Sequence, residues 1–257
     1  MPVTQQKVRS NDEIISVDQF TITHQDRILL KDIALTVTKG AFHCIIGESG
    51  SGKTLLTRAI LQMNAPQLEQ KGTIAVDLAQ VDAVFQDAQS NMFQNVTLQK
   101  HFNALYATKS KRPSRTDQQS EIHQMMTQLG LSQPEQLLKR YPFELSGGMA
   151  QRIAFIMALV RQPDCLILDE PTSALDQENS QKFMHNLMEV IRQRDLTVLF
   201  VTHDFNLVRR YATHLSVMKS GEMIESGPVT QILSRPKHPY TQQLIEAANR
   251  RNAYVTY

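Results

Sequence analysis

"AFHCIIGESGSGKTLLTRAILQM", residues 41–63, sets a short apolar run, a loop with three glycines and a run of helix-like apolar spacing in direct succession. The first run reads as a buried strand ending in glycine, and the last as a helix. Between them Gly47 to Thr54 fits the pattern G-x-x-x-x-G-K-[ST], with the preceding strand and following helix that the pattern needs. Through Gly47, Glu48, Ser49, Gly50, Ser51 and Gly52 the backbone can curl so that successive N–H groups surround phosphate oxygens. Lys53 then reaches the outer phosphates, and the Thr54 hydroxyl suits Mg²⁺.

Working outward, residues 14–38 alternate as strands do, with turn chemistry at Gln25–Asp26 and Lys39–Gly40. "GTIAV" and "VDAVFQ" predict two more strands. From about Asp87 to Val160 the signals are mostly helical, interrupted by the exposed "TKSKRPSR". "DCLILDE" and "LTVLFVTHD" are β-rich runs separated by the helical "NSQKFMHNLMEVIRQR", and "HLSVMKSGEMIESG" predicts a strand, a turn at Ser220–Gly221 and a strand. Strands alternating with helices predict an α/β core with a mostly parallel sheet, and the middle helical stretch predicts an insertion into it.

Three further spots carry chemistry. "CLILDE" delivers Asp169 and Glu170 to the carboxyl end of a buried strand, where ligands sit in such sheets. Adjacent strand residues point apart, so Asp169 suits a Mg²⁺ shell and Glu170 suits polarising an attacking water. "VLFVTHD" repeats the arrangement with His203, which could contact a γ-phosphate or hold that water. Gln86, ending "VDAVFQ", has an amide that could touch both Mg²⁺ and water. "YPFELSGGMAQR", residues 141–152, sets Ser146, Gly147 and Gly148 before an apolar helical run. Glycine pairs are costly at a helix start, but bare N–H groups and a serine hydroxyl make an anion seat. Within one active site a second seat is redundant, so it suits a nucleotide held by another subunit.

Composition narrows the class. The 257 residues are 41% apolar and 20% charged, an ordinary globular balance. A net charge of +2 gives no argument for nucleic acid. Runs such as "TVLFVT" and "CLIL" are far too short to span a membrane, and no export leader opens the chain. Cys44 and Cys165 both fall in strand-like apolar runs, which predicts reduced, buried thiols in a cytoplasmic protein.

Taken together, these residues resemble the ATP-binding subunit of an ABC (ATP-binding cassette) transporter, and the resemblance covers nearly the whole chain. Its landmarks run in order: Walker A at Gly47–Thr54, the Q-loop residue Gln86, the signature "LSGGM" at Leu145–Met149, Walker B "CLILDE", the D-loop "SALD" at Ser173–Asp176 and the switch histidine His203. The resemblance implies a P-loop NTPase core, an N-terminal antiparallel β subdomain and a helical subdomain over about 87–158, all within one domain of residues 1–257 with a tail from about 228. It implies ATP and Mg²⁺ as cofactors, with Thr54, Gln86 and Asp169 at the metal. It implies two cassettes closing head to tail over two ATPs, so that Ser146, Gly147 and Gly148 face the partner's nucleotide and Asp176 joins the interface. Lys53, Gln86, Glu170 and His203 are the implied catalytic set. Two membrane-spanning permease subunits and a substrate-binding protein complete the implied assembly, at the cytoplasmic face of the membrane and without nucleic acid.

Two features depart from relatives. The adenine-stacking aromatic before Walker A falls by spacing at His24, and the Gly72–Gln86 spacing is short. The tail "RPKHPYTQQLI", Arg235–Ile245, looks like that of peptide and nickel importer cassettes, and "YPFELSGGM" resembles the first of their two unlike cassettes. Oligopeptide and dipeptide versions usually continue into a cysteine-rich extension, whereas this sequence has no cysteine beyond Cys165. The nickel or metal-chelate type is therefore expected, with peptide import as the alternative. His238 belongs to no ligand cluster, so no nickel site is expected on the cassette, and Lys109, Lys111, Arg112 and Arg115 read as a solvated loop. A soluble ABC ATPase of DNA repair or translation would use the same motifs but usually adds duplicated cassettes, coiled coils or zinc modules. A small-molecule kinase would need neither "LSGGM" nor the D-loop.

Overall fold

A computed structural model describes residues 4–5, 12–109, 111–173 and 175–254. The chain forms two compact units, Met1–Val81 with Thr197–Tyr257, and Asp82–Leu196.

In the first unit, β1 (Thr4–Gln5), β2 (Glu13–His24), β3 (Arg27–Thr38) and β5 (Glu69–Val76) form a sheet in the order β1-β5-β2-β3. β2 pairs antiparallel with β3 and with β5, and the hairpin turns at Gln25, whose φ of 53° suits a tight turn. Alternation, shifted by one residue at irregularities between Val17 and Phe20 and near Asp32, puts Ile15, Val17, Phe20 and Ile22 of β2 and Leu30, Ile33, Leu35 and Val37 of β3 in the core. The second sheet of this unit runs β10-β9-β4-β8, built from β4 (Phe42–Ile46), β8 (Thr197–Val201), β9 (His214–Lys219) and β10 (Glu222–Pro228). β4 is parallel to both β8 and β9, and β10 folds back antiparallel. Every residue of β4 and β8 is buried, as befits parallel strands covered on both faces. The helices of the unit are α1 (Lys53–Ile60), α7 (Phe205–Tyr211), α8 (Val229–Ser234) and α9 (Pro239–Tyr254).

The second unit contains β6 (Val81–Val84), β7 (Cys165–Asp169), α2 (Leu98–Ala107), α3 (Arg115–Gln128), α4 (Pro134–Leu137), α5 (Gly147–Val160) and α6 (Gln177–Gln193). β7 lies beside β6. α5 is its centre: Ile153, Phe155, Ile156, Leu159 and Val160 are buried, and Phe155 meets Phe183 of α6 edge to face at 6.4 Å. Arg161, just past α5, pairs with Asp82 of β6 at 3.2 Å. Two expectations shift here. β6 ends at Val84, so Gln86 lies in a bend beyond the strand. Arg115 belongs to α3 rather than to the basic loop, because the Ser114 hydroxyl accepts the Asp117 N–H at 3.1 Å and caps the helix one residue earlier. Ser110 of that loop, Ala174 of the D-loop and the last three tail residues lie outside the described residues. Cys44 and Cys165 are both buried, as thiols rather than as a disulfide.

A buried histidine ties the strands of the first unit together. His43 of β4 is 3% exposed, and its Nε2 meets the Ser216 hydroxyl at 2.8 Å, which in turn meets the Ser226 hydroxyl at 2.8 Å. Burial, reinforced by the stacked His214 ring, lowers its pKa from 6.5 to about 4. Between those values the unfolded chain binds a proton that the folded chain refuses, so stability is lost as pH falls through this window. The full difference is on the order of 3 kcal/mol. We predict that urea midpoints fall between pH 6.5 and 4 with a slope that His43→Gln makes shallower; equal slopes would show that another group sets the acid sensitivity.

Candidate nucleotide-binding site

β4 ends against Gly47, and the chain then curls back before α1 begins at Lys53. Gly47 is required by space: a Cβ there would lie 2.2 Å from the Met218 carbonyl oxygen. Gly52 is required by conformation as well, with φ of 103° and a Cβ position 2.4 Å from Leu30 Cδ2. As the N-cap of α1, Gly52 supplies no side-chain acceptor, so the first amides of the helix are not capped by it. The loop is therefore a concave backbone surface of N–H groups at a helix N-terminus, which is the geometry that accepts phosphate.

Lys53 is only 7% exposed, and its ammonium donates to the carbonyls of Gly47 at 2.8 Å and Glu48 at 2.9 Å. The positive charge is thereby held over the mouth of the loop. The Ser51 carbonyl accepts from Gly221 N–H at 3.0 Å, which pins the loop to the β9–β10 turn. Glu48, Ser49, Gly50 and Thr54 are exposed on the open side. β8 runs parallel to β4 and continues its ladder with Thr202 N–H to Ile45 carbonyl at 3.1 Å, so His203 emerges beside the start of the loop. His203 and Asp204 share a cavity of about 480 Å³ with Gly47 and Glu48, and Leu244 and Ala247 of α9 form its apolar wall. His24 sits elsewhere in the unit, at the tip of the β2–β3 hairpin opposite Arg27.

In the second unit Asp169 closes β7 and is 3% exposed, whereas Glu170 takes a left-handed φ of 49° one residue later. Asp176 caps α6: its carboxylate accepts the Asn179 N–H at 2.9 Å, and this hydrogen bond, with that of the Asn179 amide, holds it below the usual carboxylate range. Ser146 caps α5 by accepting the Met149 N–H at 3.3 Å. Gly148 has a reason the sequence does not disclose, since a Cβ there would lie 2.5 Å from Leu175 Cδ2. Gln151, buried in α5, donates to the Phe85 carbonyl at 3.4 Å and so links the signature helix to the residue preceding Gln86. The structure thus joins Gly47–Thr54 with His203 in one unit, and Gln86, Ser146–Gly148, Asp169, Glu170 and Asp176 in the other. Sequence reasoning missed Leu175, Gln151 and the approach of α9 to the loop, because none carries a local pattern.

A backbone loop shaped for phosphate, a buried lysine over it and a histidine alongside define a nucleotide-phosphate-binding protein. The "ABC transporter" family description matches residues 30–173. The oligopeptide transport ATP-binding protein OppD of Lactococcus lactis is 29% identical over 89% of this chain and 72% of its own length. The methionine import ATP-binding protein MetN of Streptococcus pyogenes is 32% identical over 93% and 71%. The metal-staphylopine import system ATP-binding protein CntD of Staphylococcus aureus is 30% identical over 95% and 96%. Among solved structures, the ATP-binding cassette MJ0796, a dimer in a post-hydrolysis state with ADP and phosphate, superimposes with a TM-score of 0.73 at 25% identity, covering 84% of this chain and 99% of that one. The chain belongs to the ABC transporter family: it is an ATP-binding cassette of the importer type and a transport ATPase.

The two glycines differ in what an added methyl meets. Gly47→Ala drives Cβ into a backbone oxygen that cannot swing aside, whereas Gly148→Ala meets the end of a leucine that can rotate. In urea unfolding Gly47→Ala should cost about 3 kcal/mol or more, and Gly148→Ala should stay within about 1 kcal/mol of wild type. Equal losses would refute the steric assignment at Gly47.

Proposed function

We propose that this chain powers an importer for nickel or a metal chelate by hydrolysing ATP, with oligopeptide or dipeptide import as the second reading. The observation that carries the ATPase mechanism is the phosphate-shaped loop held by the buried Lys53. Support for the metal-chelate cargo comes from the similarity to a metal-staphylopine cassette over nearly all of both chains. The similarity to OppD favours peptide, and that to MetN an amino acid.

In this reading the domain spans 1–257, with a helical subdomain over about 87–158 and a tail over about 228–257. The loop of Gly47, Glu48, Ser49, Gly50, Ser51, Gly52, Lys53 and Thr54 cradles the phosphates, and His24 stacks on adenine. Thr54, Gln86 and Asp169 are the donors available to Mg²⁺, which when bound neutralises charge on the outer phosphates. Glu170 polarises the attacking water and His203 holds its geometry. Ser146, Gly147 and Gly148 face the nucleotide of a second cassette, with Asp176 at that interface. The full assembly adds two permease subunits and a substrate-binding protein, and places the chain at the cytoplasmic membrane face. No described helix is long and apolar enough to cross a membrane.

Glu170→Gln should keep ATP binding and slow hydrolysis by about 100-fold or more, because the water loses its base. That variant should accumulate as a closed, ATP-loaded pair in size-exclusion chromatography. Adding Ser146→Arg should abolish the pair while each chain still binds ATP. A pair that persists, or loss of ATP from the chain's own loop, would overturn the two-subunit site.

Coupling to the permease has a place in the second unit. Phe93 is 74% and Phe143 62% exposed, and Gln89 donates to the Pro142 carbonyl at 2.8 Å, so both aromatics flank one hydrogen-bonded segment just after Gln86. Exposed apolar patches of this kind mark contact surfaces. Cysteines introduced along Gln89–Val96 should cross-link to a permease subunit in the assembled transporter. Full solvent labelling of those positions in the complex would sink this assignment.

A further inference from the structure

The tail segment Arg235–Ile245 meets the backbone of the phosphate loop through the Tyr240 side chain. Glu225 of β10 accepts the N–H groups of Lys237 at 2.9 Å and His238 at 3.2 Å, and His238 Nδ1 accepts the Tyr240 N–H at 3.0 Å. Pro239 opens α9 directly afterwards, with its φ already suited to a helix. These contacts leave Tyr240 little freedom. It is 9% exposed, with the Lys219 ammonium 4.7 Å from its ring centre. Its phenol oxygen accepts the N–H of Glu48 at 3.2 Å.

That N–H belongs to the peptide group joining Gly47 to Glu48, and the carbonyl of the same group accepts the Lys53 ammonium at 2.8 Å. One amide of the phosphate loop is thus gripped at both ends, by a phenol from the tail and by the loop's own lysine. Hydrogen bonds at the two ends of an amide polarise and reinforce each other. They also oppose rotation of the peptide plane, which would swing the Gly47 carbonyl away from Lys53. Along α9, Leu244 and Ala247 line the cavity that Glu48 and His203 share, so the helix is a wall of the site.

We propose that Tyr240 is a positioning residue for ATP binding: by holding the Gly47–Glu48 peptide from the tail, it keeps the phosphate loop and Lys53 arranged for the nucleotide. The assignment rests on the reading of this loop as the ATP site. It gives the "HPY" segment a task in the catalytic unit, independent of the cargo.

A preorganised loop stabilises bound ATP and the transition state alike, so its loss appears in KM rather than kcat. In the full chain, Tyr240→Phe should weaken binding of a fluorescent ATP analogue with Mg²⁺, and raise KM for ATP, by about 3- to 10-fold. The kcat should remain within about twofold, and the unfolding midpoint without nucleotide within about 4 °C of wild type. Glu48→Pro deletes the amide that Tyr240 holds, so Tyr240→Phe should add nothing further on that background. Unchanged KM in Tyr240→Phe, additive losses in the double variant, or weakened binding matched by a large drop in the unfolding midpoint would overturn the proposal. If Glu48→Pro does not fold, the KM-against-kcat split decides alone. Lys53→Ala separates this from the underlying reading: retained ATP affinity there removes the loop assignment itself, whereas lost affinity there with normal KM in Tyr240→Phe removes only the role of Tyr240.

Discussion

The buried ammonium of Lys53 is the interaction around which the first unit is organised. An ammonium withdrawn from water must be met by acceptors or it cannot stay charged. The carbonyls of Gly47 and Glu48 meet it, and they can do so only if the chain reverses immediately after β4. That reversal brings Gly47 against the Met218 carbonyl of β9 and leaves no room there for a side chain. It also presents the start of α1 with an uncapped N-terminus, since Gly52 offers no hydroxyl or carboxylate. The features that favour an anion in this loop are thus consequences of satisfying one cation.

Elsewhere the same backbone economy recurs with different means. Ser146 and Asp176 cap their own helices, and Gly148 yields its side-chain volume to Leu175. The signature segment and the D-loop are consequently packed on each other within the second unit. A change in one is felt by the other through contact, because close-packed side chains transmit displacement. Gln151 extends this link to the backbone beside Gln86. The residues proposed to sense nucleotide and those proposed to touch a permease lie on one connected framework.

Membership of the ABC transporter family accounts for the order of the motifs and for the fold. The relatives serve peptide, methionine and metal-chelate transport with comparable identity to this chain, from 29% to 32%. That spread has a physical basis: a cassette binds nucleotide, and nothing in phosphate recognition depends on what crosses the membrane. The tail is the more distinctive element, and in this structure its polar and aromatic groups contact Glu225, Lys219 and Glu48.

The sequence by itself determined the elements whose signals are local. The 41–63 stretch specified strand, loop and helix, because glycine placement and apolar spacing act over neighbouring residues. The alternation in residues 14–38 specified the β2–β3 hairpin and its buried faces, and two apolar runs marked β7 and β8 as covered on both sides. Element ends were less legible: Gln86 falls past its strand, and Arg115 falls inside its helix because a single side chain, Ser114, caps it. What only the tertiary structure decided was which distant groups close on the site. Tyr240 meets Glu48 across 192 positions in the chain, and Leu175 explains Gly148 by touching it. Such contacts follow from how packed helices and strands bring chain segments together, and no periodicity in the residues between them encodes it.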